Sequence, residues 1–295
     1  MPETNTSCTL LEIPQDIPGF NRFIGSWACR GDLNLVVDVG PANSVSQLFD
    51  ALEELGIHQV DYFLLTHIHI DHAGGLSACM KRFPEARAVC HEKAVKHLAD
   101  PTRLWEGSRH VLGKIAEAFG RPGPVDADRL IPPQALQIKG LEVIDTPGHA
   151  AHHLSFFFNG HLFAGEAAGN YYNLGDSDYL RPATPPRFFF DVFVQTLERL
   201  KSLEDSALCY AHWGKAQSSH VMLDRFREQV FRWKEIIAKT ISSESDNLVG
   251  RCIERLLEED PNLRAFSSMP QSVQTRERYF LSNSVKGYIG FLTRT

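Results

Sequence analysis

Short apolar runs alternate with helix-like repeats along the first two thirds of the chain. Continuous or alternating apolar stretches predict strands at residues 10–13, 23–29, 33–39, 60–65, 86–90, 135–138, 141–145, 154–158, 161–164 and 207–210. Apolar residues that recur every three or four positions predict helices at residues 44–55, 76–82, 92–99, 104–119 and 188–203. Asn159-Gly160 predicts a hairpin turn between two of the strands. Interleaved strands and helices of this kind predict an α/β (α+β) protein with mixed sheets faced by helices.

Two segments fall outside this alternation. Residues 100–130 contain a helical stretch closed by a Gly- and Pro-rich run, which predicts an insertion that partly roofs a site. From residue 218 onwards the pattern is helical, with further helices predicted at 248–258 and 271–292. Its first apolar stripe favours packing on the core over a substrate wall or a dimer face. We therefore predict a domain at residues 1–217, with a helical insertion near 100–130, and a helical region at residues 218–295 packed on that core.

Composition limits the class of protein. Of the 295 residues 43% are hydrophobic and 22% are charged, which is typical of a globular chain. The formal net charge of −6 argues against a nucleic-acid groove, which needs a dense basic face. No apolar run approaches the roughly 20 residues of a membrane span, so no membrane partner is expected. Met1–Asn5 lacks the basic and apolar segments of a secretory signal, and six scattered cysteines predict reduced, mostly buried thiols in a cytoplasmic protein.

A cluster of metal-ligand residue types directly follows the strand predicted at 60–65. His67, His69, Asp71 and His72 lie within six residues and precede an Ala-Gly-Gly run. Three imidazoles and one carboxylate at this spacing suit a pair of divalent metals that share a water. At the end of a strand, the rigid sheet positions side chains that the following loop carries. We therefore expect a metal site here.

Four motifs in this order resemble those of the metallo-β-lactamase superfamily. The first is His-x-His-x-Asp-His at residues 67–72, and Thr-Pro-Gly-His at 146–149 is similar to the second metal-binding loop of that family. Gly-Glu at 165–166 resembles the segment in which relatives usually carry a metal-bridging Asp, and His212 after a short strand resembles the last ligand loop. The resemblance implies an αβ/βα four-layer sandwich with a C-terminal helical extension and metals at one edge.

The resemblance also implies seven ligands for two divalent metal ions. Zinc is favoured, with iron and manganese as alternatives, because these ions accept imidazole and carboxylate ligands. The implied ligands of the first metal are His67, His69 and His149; those of the second are Asp71, His72 and His212; and Glu166 lies between them. Glu is one methylene longer than the usual Asp. Bridging by Glu166 and filling of the second site therefore stay open.

The implied activity is hydrolysis of an ester, thioester or lactone-type bond in a small molecule, by a metal-bridging hydroxide. Asp71 is the implied catalytic residue, because its carboxylate could accept a hydrogen bond from the hydroxide or pass a proton to the leaving group. The helical tail, Asp71 and Glu166 resemble the glyoxalase II-like and lactonase-like branch more than true β-lactamases. A homodimer stays open.

Several other residues have two readings. His153 lies four residues after His149, and either orients the site or has an ordinary structural role. His152 is expected to face solvent or to end a strand. Asp38 resembles the family's strand-end Asp, which supports the metal-binding loop, but could equally cap a turn. The aromatic residues at 171–172 and 188–190 favour the core over a substrate wall.

Two alternatives to a hydrolase remain. The first is a mononuclear iron oxygenase of the persulfide-dioxygenase type, which does not need the second-site residues Asp71, His72 and His212. The second is a metal-containing, non-catalytic effector that binds a partner through the helical tail. A nuclease is disfavoured, because the chain between His149 and His212 has no room for the additional domain of that branch.

Overall fold

The computed structural model describes residues 7–242 and 246–294, and these divide into two compact units. The first unit runs to Asp145 and also contains His152–Asn159. The second contains Thr146–Ala151 and the chain from Gly160 onwards. The predicted absence of a signal rests on Met1–Asn5, which lies outside the described residues. The domain boundary at 217/218 stays a prediction.

A six-stranded sheet organises the first unit. Its strands are ordered as in the chain: β1 (Ser7–Glu12), β2 (Gly25–Arg30), β3 (Leu35–Val37), β4 (Tyr62–Leu64), β5 (Arg87–Val89) and β6 (Leu130–Ile131). The first three strands pair antiparallel, and β3 to β6 pair parallel. Every residue of β3 is buried, as expected for a strand covered on both faces. The strands β7 (Leu141–Asp145) and β8 (Leu154–Phe158), which belong to a different sheet, pair antiparallel.

The described residues of this unit form the α-helices α1 (Val45–Glu54), α2 (Ile70–Ala73), α3 (Leu76–Arg82), α4 (Glu92–Ala99), α5 (Thr102–Leu112) and α6 (Lys114–Phe119). The prediction of a single helix at 104–119 is wrong, because Gly113 separates two helices there. Gly113 has φ +56°, a left-handed conformation that interrupts the helical hydrogen bonds and that glycine adopts readily. The segment is therefore a pair of helices with a glycine joint.

The prediction of a strand at 135–138 is also wrong. Pro133–Ala135 forms a short 3₁₀ turn, and no strand follows it before β7. Two consecutive prolines at 132 and 133 remove two backbone donors and fix φ, which outweighs the alternating apolar pattern after them.

The prediction that all six cysteines are reduced is wrong for two of them. Cys8 and Cys29 are directly opposite in the β1–β2 ladder and form a disulfide. The other four thiols are free and buried, at Cys79, Cys90, Cys209 and Cys252. Because the cytoplasmic prediction rested partly on reduced thiols, the disulfide removes that support.

The second unit contains five strands: β9 (His161–Gly165), β10 (Asn170–Asn173), β11 (Asp178–Arg181), β12 (Ala207–Tyr210) and β13 (Lys215–Ala216). Strand β12 pairs parallel with β9 and antiparallel with β13, while β10 and β11 form a hairpin that the sequence analysis did not predict. Its helices are α7 (Phe190–Lys201), α8 (Ser219–Ile241), α9 (Leu248–Glu259) and α10 (Gln271–Leu292). The helical pattern predicted after residue 218 is thus confirmed.

A buried ion pair attaches α10 to the β10–β11 hairpin. Glu277 accepts hydrogen bonds from Nε of Arg181, at 2.5 Å, and from Nε of Arg276, at 2.9 Å. Burial alone would raise the pKa of Glu277, but the two guanidinium groups lower it below its ordinary value. The last helix is therefore fixed to the strand pair that follows residue 166 in the chain.

No helix in residues 7–242 or 246–294 combines the length and apolar character that crossing a bilayer requires.

Candidate metal centre

The first unit holds four of the predicted ligands just beyond the carboxyl end of β4. His67 and His69 lie in the loop after the strand, and Asp71 and His72 lie on the short helix α2. Nε2 of His67 is 3.0 Å from Nδ1 of His69, and Nε2 of His72 is 3.5 Å from a carboxylate oxygen of Asp71. His72 is 2% exposed and Asp71 15% exposed. The motif therefore folds into one compact group of donors, of which Asp71 is the more accessible.

Asp38 supports this group from the neighbouring parallel strand. One carboxylate oxygen accepts a hydrogen bond from the amide of Thr66 at 2.8 Å. The other accepts from the Thr66 hydroxyl at 2.8 Å and lies 3.0 Å from Nδ1 of His72. Asp38 has φ +56°, which aims its side chain back at the loop, and Asp tolerates this conformation better than most residues. Of the two roles predicted for Asp38, these contacts favour support of the metal-binding loop over capping of a turn.

The contact with Asp38 also defines which nitrogen of His72 can bind a metal. A carboxylate only accepts, so Nδ1 of His72 carries the proton and Nε2 faces Asp71. Burial alone would lower the pKa of His72, but the carboxylates of Asp71 and Asp38 raise it well above its ordinary value. This pocket therefore favours positive charge, whether a proton or a metal ion carries it.

The second unit holds the other three predicted ligands. Glu166 follows β9 and His212 follows β12, and these strands are parallel neighbours with Tyr210 opposite Gly165. Nε2 of His149 is 2.8 Å from one carboxylate oxygen of Glu166, and Nε2 of His212 is 3.4 Å from the other. The parallel register thus explains why a Glu and a His that lie 46 positions apart (212 − 166) come together.

The arrangement around Glu166 fits a metal cation. Nδ1 of His149 donates to the carbonyl of Ala183 at 2.8 Å, so in the neutral ring Nε2 presents a lone pair. That lone pair faces a carboxylate oxygen, which is also an acceptor. Two acceptors at 2.8 Å require a shared cation, either a proton or a metal ion. The donor atoms of His149 and Glu166 lie close enough together to hold one ion, and neutral imidazole with carboxylate suits divalent metals.

Glycine makes the approach of the His149 loop possible. Gly148 has φ +145°, and a Cβ there would lie 2.4 Å from the ring of Phe193 on α7. Thr196, also on α7, donates its hydroxyl to the carbonyl of Pro147. The Thr-Pro-Gly-His run is therefore fitted closely against one helix, which positions His149.

Two more histidines lie beside the first group of donors. His153 is fully buried, and its ring stacks on that of His67 with centroids 5.2 Å apart. His152 lies in the turn before β8, one residue removed from the strand, and is half-buried with its ring edge-on to His69 at 6.1 Å, so it neither ends a strand nor faces open solvent. Both histidines thus restrict the rings of the donors rather than face open solvent.

Most of the aromatic residues that followed the Glu166 loop belong to the core. Tyr171 and Tyr172 are buried on β10, and Phe188 and Phe190 are buried around α7, while Phe189 is 48% exposed. The preference for core over substrate wall is confirmed for the four buried residues.

Comparison with known proteins identifies the family. The model of the metallo-beta-lactamase superfamily matches residues 26–212. The chain belongs to this superfamily. A metallo-beta-lactamase fold-containing protein of Sulfurisphaera tokodaii is 28% identical over 259 residues, which cover 83% of this chain and 90% of that relative. A hydroxyacylglutathione hydrolase of Aeromonas salmonicida is 32% identical over 185 residues, which cover 62% of this chain but only 58% of that relative.

Solved structures support the same fold. A metallo-beta-lactamase family protein from Thermus thermophilus superposes with a TM-score of 0.67 at 22% identity, covering 97% of this chain and 92% of that one. The predicted α/β fold class and the predicted family are therefore confirmed. At the level of the superfamily, the donors described above point to divalent metal ions, without identifying the metal.

Proposed function

We propose that this superfamily member is a dinuclear metal-dependent hydrolase of an ester, thioester or lactone-type bond in a small molecule. The proposed ligands of its two divalent ions are His67, His69 and His149; Asp71, His72 and His212; and Glu166 between them. Zinc is the favoured metal, with iron and manganese as alternatives.

The observation that carries the proposal is the environment of Glu166. Each of its two carboxylate oxygens faces the Nε2 atom of a different histidine, His149 and His212, and the residue is 5% exposed. A buried carboxylate presented to two imidazoles in this way is suited to binding more than one ion. The longer Glu side chain therefore does not prevent contact with both histidines, which supports a ligand role for Glu166.

The chain's own residues define the chemistry at the site. Two bound divalent ions would lower the pKa of a water and polarise the carbonyl group under attack. Asp71 retains some solvent exposure, and its carboxylate can accept a proton from the attacking water and release it towards the leaving group. Asp38 holds His72 with its Nδ1 protonated, so that Nε2 stays directed at Asp71. Burial of His67 and His72 keeps bulk water away from these donors.

The two alternative functions would require fewer of the residues that lie in this site. A mononuclear oxygenase has no use for Asp71, His72 and the Asp38 contact, all of which are present in this protein. The effector alternative keeps the metals but does not need Asp71 as a proton acceptor. We keep a small molecule as the proposed substrate, with neither nucleic acid nor membrane as partner, and leave a homodimer as a prediction.

The test is hydrolysis by the metal-loaded, full-length protein. The panel should contain a hydroxyacyl-glutathione thioester, a simple thioester, a lactone, an aryl ester and a phosphodiester. We expect metal-dependent turnover of at least one carbonyl substrate, and its loss in Asp71→Asn, which removes both a proposed metal ligand and the proposed proton acceptor. Absence of turnover on every carbonyl substrate, or unchanged turnover in Asp71→Asn, would contradict the proposal. Persulfide-dependent oxygen uptake by an iron-loaded sample would instead support the oxygenase.

A further inference from the structure

Helix α5 is amphipathic but buries none of its side chains completely. Its apolar stripe consists of Leu104, Trp105 and Leu112, which are half-buried, and Val111, which is 50% exposed. The opposite face carries exposed polar residues such as His110. Other helices of the same unit bury apolar residues completely, as α1 does with Leu48 and Leu52. An apolar stripe that is only half covered retains much of its hydrophobic binding energy for a ligand.

Identifiable contacts hold the two ends of this helix. At its start, the carboxylate of Asp100 accepts hydrogen bonds from the amide and hydroxyl of Thr102. At its end, Gly113 forms the joint with α6, which is anchored by the buried residues Ala116 and Phe119.

The position of α5 indicates the class of ligand that its apolar stripe would bind. Both α5 and α6 pack against α2, the short helix that carries Asp71 and His72. The stripe from Leu104 to Leu112 spans about 12 Å of helix, from eight steps of about 1.5 Å each. An apolar surface of this length, on a helix that packs against α2, suits the chain of an acyl group whose carbonyl lies near the carboxylate of Asp71.

We propose that Leu104, Trp105 and Leu112 of α5 form the binding wall for the acyl chain of the substrate, so that the protein prefers medium-chain acyl esters or thioesters over short ones. This rests on the proposed function for the identity of the substrate. The apolar binding wall itself can be tested without turnover.

The first experiment compares binding of decanoate, below its micelle concentration, with binding of acetate to the metal-loaded full chain by calorimetry. Both probes share the carboxylate, so the ratio of their dissociation constants reports on the chain alone. We expect decanoate to bind at least about 100-fold more tightly. Trp105→Ala should reduce this ratio about tenfold, whereas His110→Ala, which removes a ring from the opposite face, should leave it unchanged. A ratio near one, or a ratio that Trp105→Ala does not alter, would overturn the proposal.

The second experiment compares kcat/KM for aryl acetate, octanoate and decanoate. The expected result is a rise of about two- to fourfold per methylene, and a smaller rise per methylene in Trp105→Ala. No hydrolysis of any of these esters, combined with Trp105-dependent decanoate binding, would count against ester hydrolysis but support the wall. Equal rates at all chain lengths would contradict the wall but not the hydrolase. Vesicles of phosphatidylglycerol form a third arm: Trp105-dependent binding to them, without selectivity for decanoate, would assign the stripe to a lipid surface and overturn the proposal.

Discussion

Replacing Asp38 by Asn should weaken metal binding without disrupting the fold. Asp38 is 2% exposed and accepts from the amide and hydroxyl of Thr66 and from Nδ1 of His72. Asn is the appropriate change, because it tolerates the left-handed backbone at φ +56° and keeps one acceptor oxygen. Its amide group, however, replaces an acceptor by a donor.

The size of the effect follows from these three contacts. The bond from the Thr66 amide can persist, and the Thr66 hydroxyl can turn to Nδ1 of His67, 3.0 Å away. Nδ1 of His72 has no such substitute and meets a donor. Either this mismatch costs about 1–3 kcal/mol of unfolding free energy, or the ring changes tautomer and Nε2 loses its lone pair. Loss of a partner that orients a metal-binding histidine typically lowers metal affinity about 10- to 100-fold.

Two measurements check this reasoning. Chelator competition should show weaker binding of at least one metal by Asp38→Asn, and urea unfolding of the metal-free protein should show a loss of about 1–3 kcal/mol. The matched control is Asp61→Asn, since a carboxylate oxygen of Asp61 accepts from the amide of Asn34 at 2.7 Å in the same unit. That variant should keep its metal affinity. Unchanged metal affinity in Asp38→Asn would refute the role assigned to the carboxylate.

Three further predictions concern the ligands and the tail. Glu166→Gln should lower the affinity for at least one metal in chelator competition, and unchanged metal content in this variant would exclude a ligand role for Glu166. Glu166→Asp should bind the second metal less well than the parent, because the shorter side chain withdraws the carboxylate by about 1.5 Å. His69→Ala should empty the first site and His212→Ala should weaken the second, with unchanged circular dichroism; full turnover by the latter variant would make the second metal dispensable. Asp205 accepts hydrogen bonds from the amide of His220 and from nearby serine hydroxyls, and these bonds lower its pKa to about 2. Its contribution to stability should therefore be present above pH about 4 and be lost as the pH falls towards 2. Urea unfolding over that range should show a smaller pH dependence in Asp205→Asn, and an identical dependence would contradict this cap.

The sequence was most informative where ligands are neighbours in the chain. His67, His69, Asp71 and His72 occupy one loop and one helical turn, so their spacing alone indicates a shared site. The contact of Glu166 with His212 depends instead on the parallel pairing of β9 with β12. Periodicity cannot predict which strands are neighbours, and the resemblance to a family was needed to connect these two residues.

Other features depended on register or backbone conformation. The Cys8–Cys29 disulfide requires the alignment of β1 with β2, which spacing does not reveal. The role of Asp38 depends on its positive φ and on the adjacency of β3 and β4. The hairpin of β10 and β11 did have a local signal, since Gly175 and the polar residues around it lie between the pairs Tyr171-Tyr172 and Tyr179-Leu180.

Metal stoichiometry decides whether the seven proposed ligands hold two metal ions. The purified full-length protein should be stripped, reconstituted separately with zinc, iron and manganese, desalted, and analysed for metal per chain. We predict two ions per chain for at least one metal, falling towards one in His212→Ala. A stoichiometry that never exceeds one, under any loading condition, would contradict the dinuclear account and favour the mononuclear oxygenase.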